Sequence, residues 1–161
     1  MCFWMWGVRK LRAVVTRVKN ASVTGEGNLN ASIARGLLVL LGVGPEDDSS
    51  DVNTLAKKIC RLRIFNDEQG KMNLDLAQVQ GEIMVVSQFT LYADTKSRRP
   101  GFSHGAKPDL ANKLYEEFLL ACEKLGFPPK HGNFGADMQV ASVNDGPVTL
   151  CLDTKKEVNV H

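Results

Sequence analysis

The sequence predicts a single α+β domain, rich in sheet and carrying two main helices. Its 161 residues suit one domain, long enough to bury about two-thirds of the unfolded chain's surface in one core. Alternating, β-branched segments outnumber segments of helical periodicity. No repeat, low-complexity tract or linker divides the chain.

The stretch 11–43, "LRAVVTRVKNASVTGEGNLNASIARGLLVLLGV", alternates and carries a turn signal at Gly25-Glu26-Gly27-Asn28. It reads as strand, strand, hairpin, strand. Its end, "GLLVLLGV", is a continuous apolar run between glycines, which favours a buried strand over a helix. Ser49 or Ser50 can cap a helix over 51–62, with Val52, Leu55, Ala56, Ile59, Cys60 and Leu62 on one face. "NDEQGKMN" (66–73) reads as a polar loop and "EIMVVSQFTLY" (82–92) as a strand. Regular pleating would put Ser87 and Phe89 on one face, Gln88 and Thr90 on the other. "ADTKSRRPGFSHGAK" (93–107) is a long basic loop. Pro108 suits the first position of a second helix, with Asp109 in its first turn. Leu110, Leu114, Phe118, Cys122 and Leu125 form its apolar stripe, and Gly126 with Pro128 and Pro129 stops it. "ADMQVASV" and "VTLCLD" are the last two strands, joined by a turn at Asn144-Asp145-Gly146-Pro147.

Residues 1–10, "MCFWMWGVRK", hold both tryptophans, and their charges follow the apolar stretch, the reverse of a secretory signal. That stretch is also far shorter than a membrane span. We expect residues 1–10 to be an extension outside the fold, the domain to be 11–161, and no membrane partner. The net charge of +2 does not by itself imply a nucleic-acid binder. Cys2, Cys60, Cys122 and Cys151 form no C-x-x-C pair and read as buried free thiols in a reduced cytosol. His104, His131 and His161 lack zinc-ligand spacing, so neither metal nor cofactor is expected.

Three short segments admit a bland and a functional reading. "SQFTL" (87–91) is either a half-buried strand with an exposed polar face or a strand end offering N–H groups and hydroxyls to a ligand. No G-x-S-x-G elbow is present and nothing pairs Ser87 or Thr90 with a base, so a serine or threonine nucleophile has little support. "NDGP" is an ordinary turn signal. Cis bonds make up only about 5–6% of X-Pro bonds, so the pattern alone does not make this one cis. In the basic loop, Lys96, Arg98, Arg99 and Lys107 are either solvated or suited to phosphate contacts. Paired carboxylates such as Glu116 and Glu117 lie on expected solvent faces, and "LLGVGPEDD" lacks the lysine and spacing of a phosphate loop.

"LRAVVTRV", "ASVT", "GLLVLLGV", "SQFTLYAD", "RRPGFS", "LYEEF" and "VNDGPVT" follow one another in this order. From about residue 11 to the end, the chain resembles the D-aminoacyl-tRNA deacylases, whose two signature motifs are both complete in "SQFTL" and "NDGPVT". It looks like the standard bacterial and eukaryotic type; the related animal deacylase with a trans Gly-Pro differs in both motifs. The resemblance implies a homodimer of subunits with a curved, barrel-like β-sheet. It implies hydrolysis of the ester joining a D-amino acid to tRNA, or glycine mischarged on tRNA(Ala), as cytoplasmic chirality proofreading. L-aminoacyl-tRNA would be spared, and no cofactor is needed.

The resemblance also distributes roles. Each subunit's Gly146–cis-Pro147 corner would project into its partner's site, its carbonyl oxygens holding the substrate's α-ammonium. Backbone N–H groups of Phe89 and Thr90 would lie near the ester carbonyl, with the adenosine's own 2′-hydroxyl helping to activate water. Ser87 and Gln88 would line the adenosine pocket, and Leu91 would join the substrate-binding set. Arg17 would brace the corner and Asn144 support it. Two departures stand out. Leu11 occupies the position where the family usually begins with Met, which suggests a non-AUG start. Gly101 replaces a common serine in the loop. The rival readings are a tRNA- or DNA-associated binder, which has no need of both intact motifs, and an enzyme of free D-amino acids, for which no cofactor signature exists.

Overall fold

The computed structural model describes residues 11–26 and 28–154. The expected extension, 1–10, lies outside the described residues.

The described residues form an α+β fold built on one curved sheet. Its strands are β1 (Arg12–Gly25), β2 (Asn28–Ile33), β3 (Gly36–Gly42), β6 (Glu82–Ser87), β7 (Lys130–His131) and β8 (Met138–Asp153). A separate small hairpin joins β4 (Phe65–Asn66) to β5 (Met72–Leu74). The helices are α1 (Ser49–Cys60) and α2 (Pro108–Lys124). The order is β2-β1-β3-β6-β7, with β8 also paired to β1. β1 is antiparallel to β2, β3 and β8, whereas β3–β6 and β6–β7 are parallel. The sheet curls so far that β2, at one end of that order, approaches β7 at the other.

Two apolar clusters hold the fold. Leu11, Ala13, Val15, Leu37, Val39, Leu41, Ile83 and Val85 pack with the stripes of α1 and α2. Val18, Ala21, Val23, Ile33, Leu38, Met84 and Val86 form the second. Alternation sorts β3 and β6 between them, so every residue of "GLLVLLG" except Leu40 is buried, as its unbroken apolar run requires. Cys60 and Cys122 are buried free thiols, one from each helix. The Cys122 thiol is pushed up by its hydrogen bond to Cys60 and by burial.

Several expectations change. Residues 12–25 form one strand rather than two, because its pairing with β8 runs nearly its whole length. Asp48, not a serine, caps α1: its carboxylate accepts from the N–H groups of Ser50 and Asp51, and Asp51 returns a bond to the Asp48 N–H. That capping box moves the helix to 49–60. The supposed loop 66–73 contributes to the β4–β5 hairpin. Cys151 is exposed on β8 and disulfide-bonded, so the reading as buried free thiols fails there. The second helix starts at Pro108 and ends before Gly126, whose φ of 99° suits glycine.

Candidate active site

The two short motifs depart most from their expected local shape. "NDGP" does not reverse the chain. β8 passes straight through it and stays on β1, where Thr16 pairs with Thr149 and Val18 with Asn144. Residues 145–148 therefore face the single residue Arg17, and the corner is a large bulge in a continuous strand. Gly146–Pro147 is a cis peptide, and Gly146 has a φ of 134°.

Side chains fix the bulge from both ends. Arg17, 5% exposed, donates from Nε to the Asp145 carbonyl at 2.9 Å. Its Nη1 donates to the Ile64 carbonyl at 2.7 Å and to Asn66 Oδ1 at 3.2 Å. Asn144 spans the corner: its Oδ1 accepts from the Val148 N–H at 2.8 Å, and its Nδ2 donates to Thr149 Oγ1 at 2.9 Å. Gly146 and Pro147 themselves are exposed.

"SQFTL" is a strand only as far as Ser87. The Gln88 N–H still reaches the Leu41 carbonyl at 2.7 Å, and then Phe89–Tyr92 wind into a 3-10 turn. Its first internal bond runs from the Leu91 N–H to the Gln88 carbonyl at 3.2 Å. The N–H groups of Phe89 and Thr90 precede that bond and have no partner within the turn. The expected alternation of faces beyond Ser87 is thus replaced. Gly42 makes this possible: a Cβ there would lie 3.0 Å from the Leu91 Cβ and 3.1 Å from the Gln88 carbonyl oxygen. The Gln88 amide donates to Thr90 Oγ1, so the Thr90 hydroxyl serves as an acceptor within the motif.

A cleft of about 260 Å³ opens beside this turn. Ser87, Gln88 and Phe89 line it with Leu41, Val43, Val86, Ala106 and Ala111, and residues 134–138 with Val140 complete the lining. Thr90 and Leu91 do not line it, and neither do Gly146 and Pro147 of the same chain. The contribution of 134–138 was not legible in the sequence; Gly135, with a φ of 75°, was its one local signal. Arg12 was missed as well. It is 5% exposed, donates from Nη1 to the Leu91 carbonyl at 3.0 Å, and stands 4.5 Å from the centroid of the Tyr92 ring. A cation in a β-branched, buried run was the available signal.

The basic loop is closed at its neck by reciprocal backbone bonds between Asp94 and Gly101, both 2.8 Å. The Asp94 carboxyl is held below its ordinary range, first by the Lys96 N–H and then by His104, whose Nε2 lies 3.2 Å from Oδ2. Lys96, Arg98, Arg99 and Lys107 are all exposed. Among the described residues, no three His, Cys, Asp or Glu side chains gather as metal ligands would. No helix among them is long and apolar enough to cross a membrane.

Residues 14–153 match the family model described as D-Tyr-tRNA(Tyr) deacylase. A protein of Thermosipho africanus named D-aminoacyl-tRNA deacylase is 58% identical over 147 residues, covering 91% of this chain and 99% of that one. One of Desulfatibacillum aliphaticivorans with the same name is 57% identical over 146 residues, 90% of this chain and 100% of the other. Among solved structures, a c-Myc DNA unwinding element binding protein superposes with a TM-score of 0.85 at 41% identity, covering 89% of this chain and 99% of that one. A probable eukaryotic D-amino acid tRNA deacylase gives 0.76 at 16% identity, with coverage of 89% and 99%, a likeness of fold alone.

Proposed function

The chain belongs to the D-Tyr-tRNA(Tyr) deacylase family, and from that membership we propose that it hydrolyses the ester of D-aminoacyl-tRNA and of glycine mischarged on tRNA(Ala), sparing L-aminoacyl-tRNA. The work is cytoplasmic proofreading of chirality. The active unit is a homodimer in which each Gly146–Pro147 corner completes the partner's cleft.

One observation carries this reading. The corner is exposed and braced from behind by buried Arg17, yet it does not line its own chain's cleft. A braced, outward-facing corner suits insertion into a second copy. Val143 on the same strand is 47% exposed and does not line the cleft, apolar surface that a partner would cover.

The chemistry needs little from side chains. The α-ammonium is held by the carbonyl oxygens of Gly146 and Pro147. With it fixed there, a D side chain points away from the corner and an L side chain points into it. The discrimination is steric and indifferent to which D side chain is present, and glycine passes because it has none. At the other end of the ester, the N–H groups of Phe89 and Thr90 are donors for the developing oxyanion. Ser87 and Gln88 hold the adenosine, whose 2′-hydroxyl assists the attacking water. An aminoacyl ester is labile, so positioning plus this electrostatic term suffices.

Parallel incubation with D- and L-tyrosyl-tRNA tests the reaction: selective release of D-tyrosine supports it, and equal or absent hydrolysis refutes it. The trans arrangement has its own test. A corner variant, Gly146→Val, is mixed with a cleft-filling variant, Ala106→Trp, after each is shown to be folded and inactive. Hybrid dimers then hold one site free of both lesions, and activity returns. No recovery after demonstrated subunit exchange would place both halves of the site in one chain.

A further inference from the structure

We propose that Phe89 and Phe102 form a stacking platform for an unpaired nucleobase, that of the nucleotide preceding the terminal adenosine of the tRNA. The proposal rests on the aminoacyl-tRNA reading and specifies how the single-stranded end of that substrate is held.

Phe89 is 61% exposed and Phe102 48% exposed. Their ring centroids are 5.4 Å apart and their planes meet at 74°, an edge-to-face pair. Two large rings packed on each other and still open to water leave aromatic faces free. Both are held on ordered backbone. Phe89 opens the 3-10 turn at the end of β6. Phe102 directly follows Gly101, which is tied to Asp94 in both directions. Asp94 in turn accepts from the Lys96 N–H at 3.0 Å and contacts His104, so the loop's own contacts fix the neck from which Phe102 projects.

The surroundings select the occupant. Phe89 also lines the cleft assigned to the aminoacyl-adenosine, so the platform continues directly from that site. The same loop carries exposed Lys96, Arg98, Arg99 and Lys107, a charge match for a phosphate backbone. Aromatic faces beside a cationic track are how proteins hold single-stranded nucleic acid without reading its sequence. Every base has a π-face, so such a platform serves any tRNA.

The experiment compares Phe102→Ala with the parent on D-tyrosyl-tRNA and on 3′-(D-tyrosyl)adenosine, which lacks the preceding nucleotide. The variant should lose about tenfold in kcat/KM on the tRNA, the scale of one base stack, and less than twofold on the nucleoside ester. Phe102→Trp should match or exceed the parent on the tRNA, whereas Phe102→Leu should fall with Phe102→Ala. Equal effects on both substrates, no effect on either, or full rescue by leucine would overturn the platform and leave the deacylase reading standing. A parent that hydrolyses neither substrate would remove that reading, and the platform with it.

Discussion

Replacing Gly146 with alanine tests whether the corner's geometry is what the site depends on. The new Cβ would lie 2.8 Å from Val148 Cγ2, 2.9 Å from Arg17 Nη2 and 3.1 Å from the Val148 nitrogen. The φ of 134° is also one that side-chain-bearing residues rarely adopt. The buried Val148 side chain has to give way to the methyl, and Arg17 must move as well. It cannot do so without loosening its bonds to Asp145 and Ile64. A non-glycine residue at such a φ costs about 1–3 kcal/mol, and a strained charge-assisted hydrogen bond adds on the order of 1 kcal/mol. We therefore expect about 2–4 kcal/mol of lost stability and a melting temperature lower by roughly 5–15 °C. Single-turnover hydrolysis of D-tyrosyl-tRNA, measured well below the variant's melting temperature, should fall by more than about a hundredfold, or ~2.7 kcal/mol in the barrier. A Gly146→Ala protein that melts within two degrees of the parent, with activity within about threefold, would refute the reasoning.

Three further outcomes are expected. Thr90→Ala removes a hydroxyl that accepts from Gln88 and leaves the backbone N–H in place, so hydrolysis should drop nearer tenfold than a thousandfold, or about 1.4 kcal/mol; an acyl-enzyme trapped on Thr90 in the parent would reinstate a nucleophile. Arg98→Ala with Arg99→Ala should weaken tRNA binding and flatten its dependence on salt by about two charges, as read from binding isotherms at several salt concentrations; an unchanged slope would move the RNA path elsewhere. The Asp48 carboxyl is held below its usual range by the Asp51 N–H and then by Ser50, so its contribution is full above the unfolded value near 3.9 and is lost as pH falls through the lower folded value. Asp48→Asn keeps a capping acceptor that does not titrate; its melting temperature should fall less than the parent's between pH 5 and pH 2.5, and parallel curves would reject the assignment.

The sequence by itself determined what depends on local pattern and composition. The unbroken apolar run at 36–43, short and bounded by glycines, favoured a buried strand over a helix. Pro108 and Gly126 bounded the second helix, because one lacks a donor a helix start can spare and the other tolerates a φ of 99°. The pair "SQFTL" and "NDGPVT" carried the family, since each backbone shape there demands particular residues. The tertiary structure alone decided what those shapes were. A polar segment after an apolar strand continues it or winds up according to what lies across from it, and Gly42 on β3 supplied the room for a 3-10 turn. Asp-Gly-Pro turns a chain back only when two strands wait to pair with each other. In this fold both flanks of the motif find their hydrogen bonds on β1, so the same residues become a bulge held out by Arg17. Arg12 and the 134–138 segment stayed invisible for a related reason: what places them at the site is contact across 79 residues of chain or more than 40, and no pattern within a window of the sequence records such contacts.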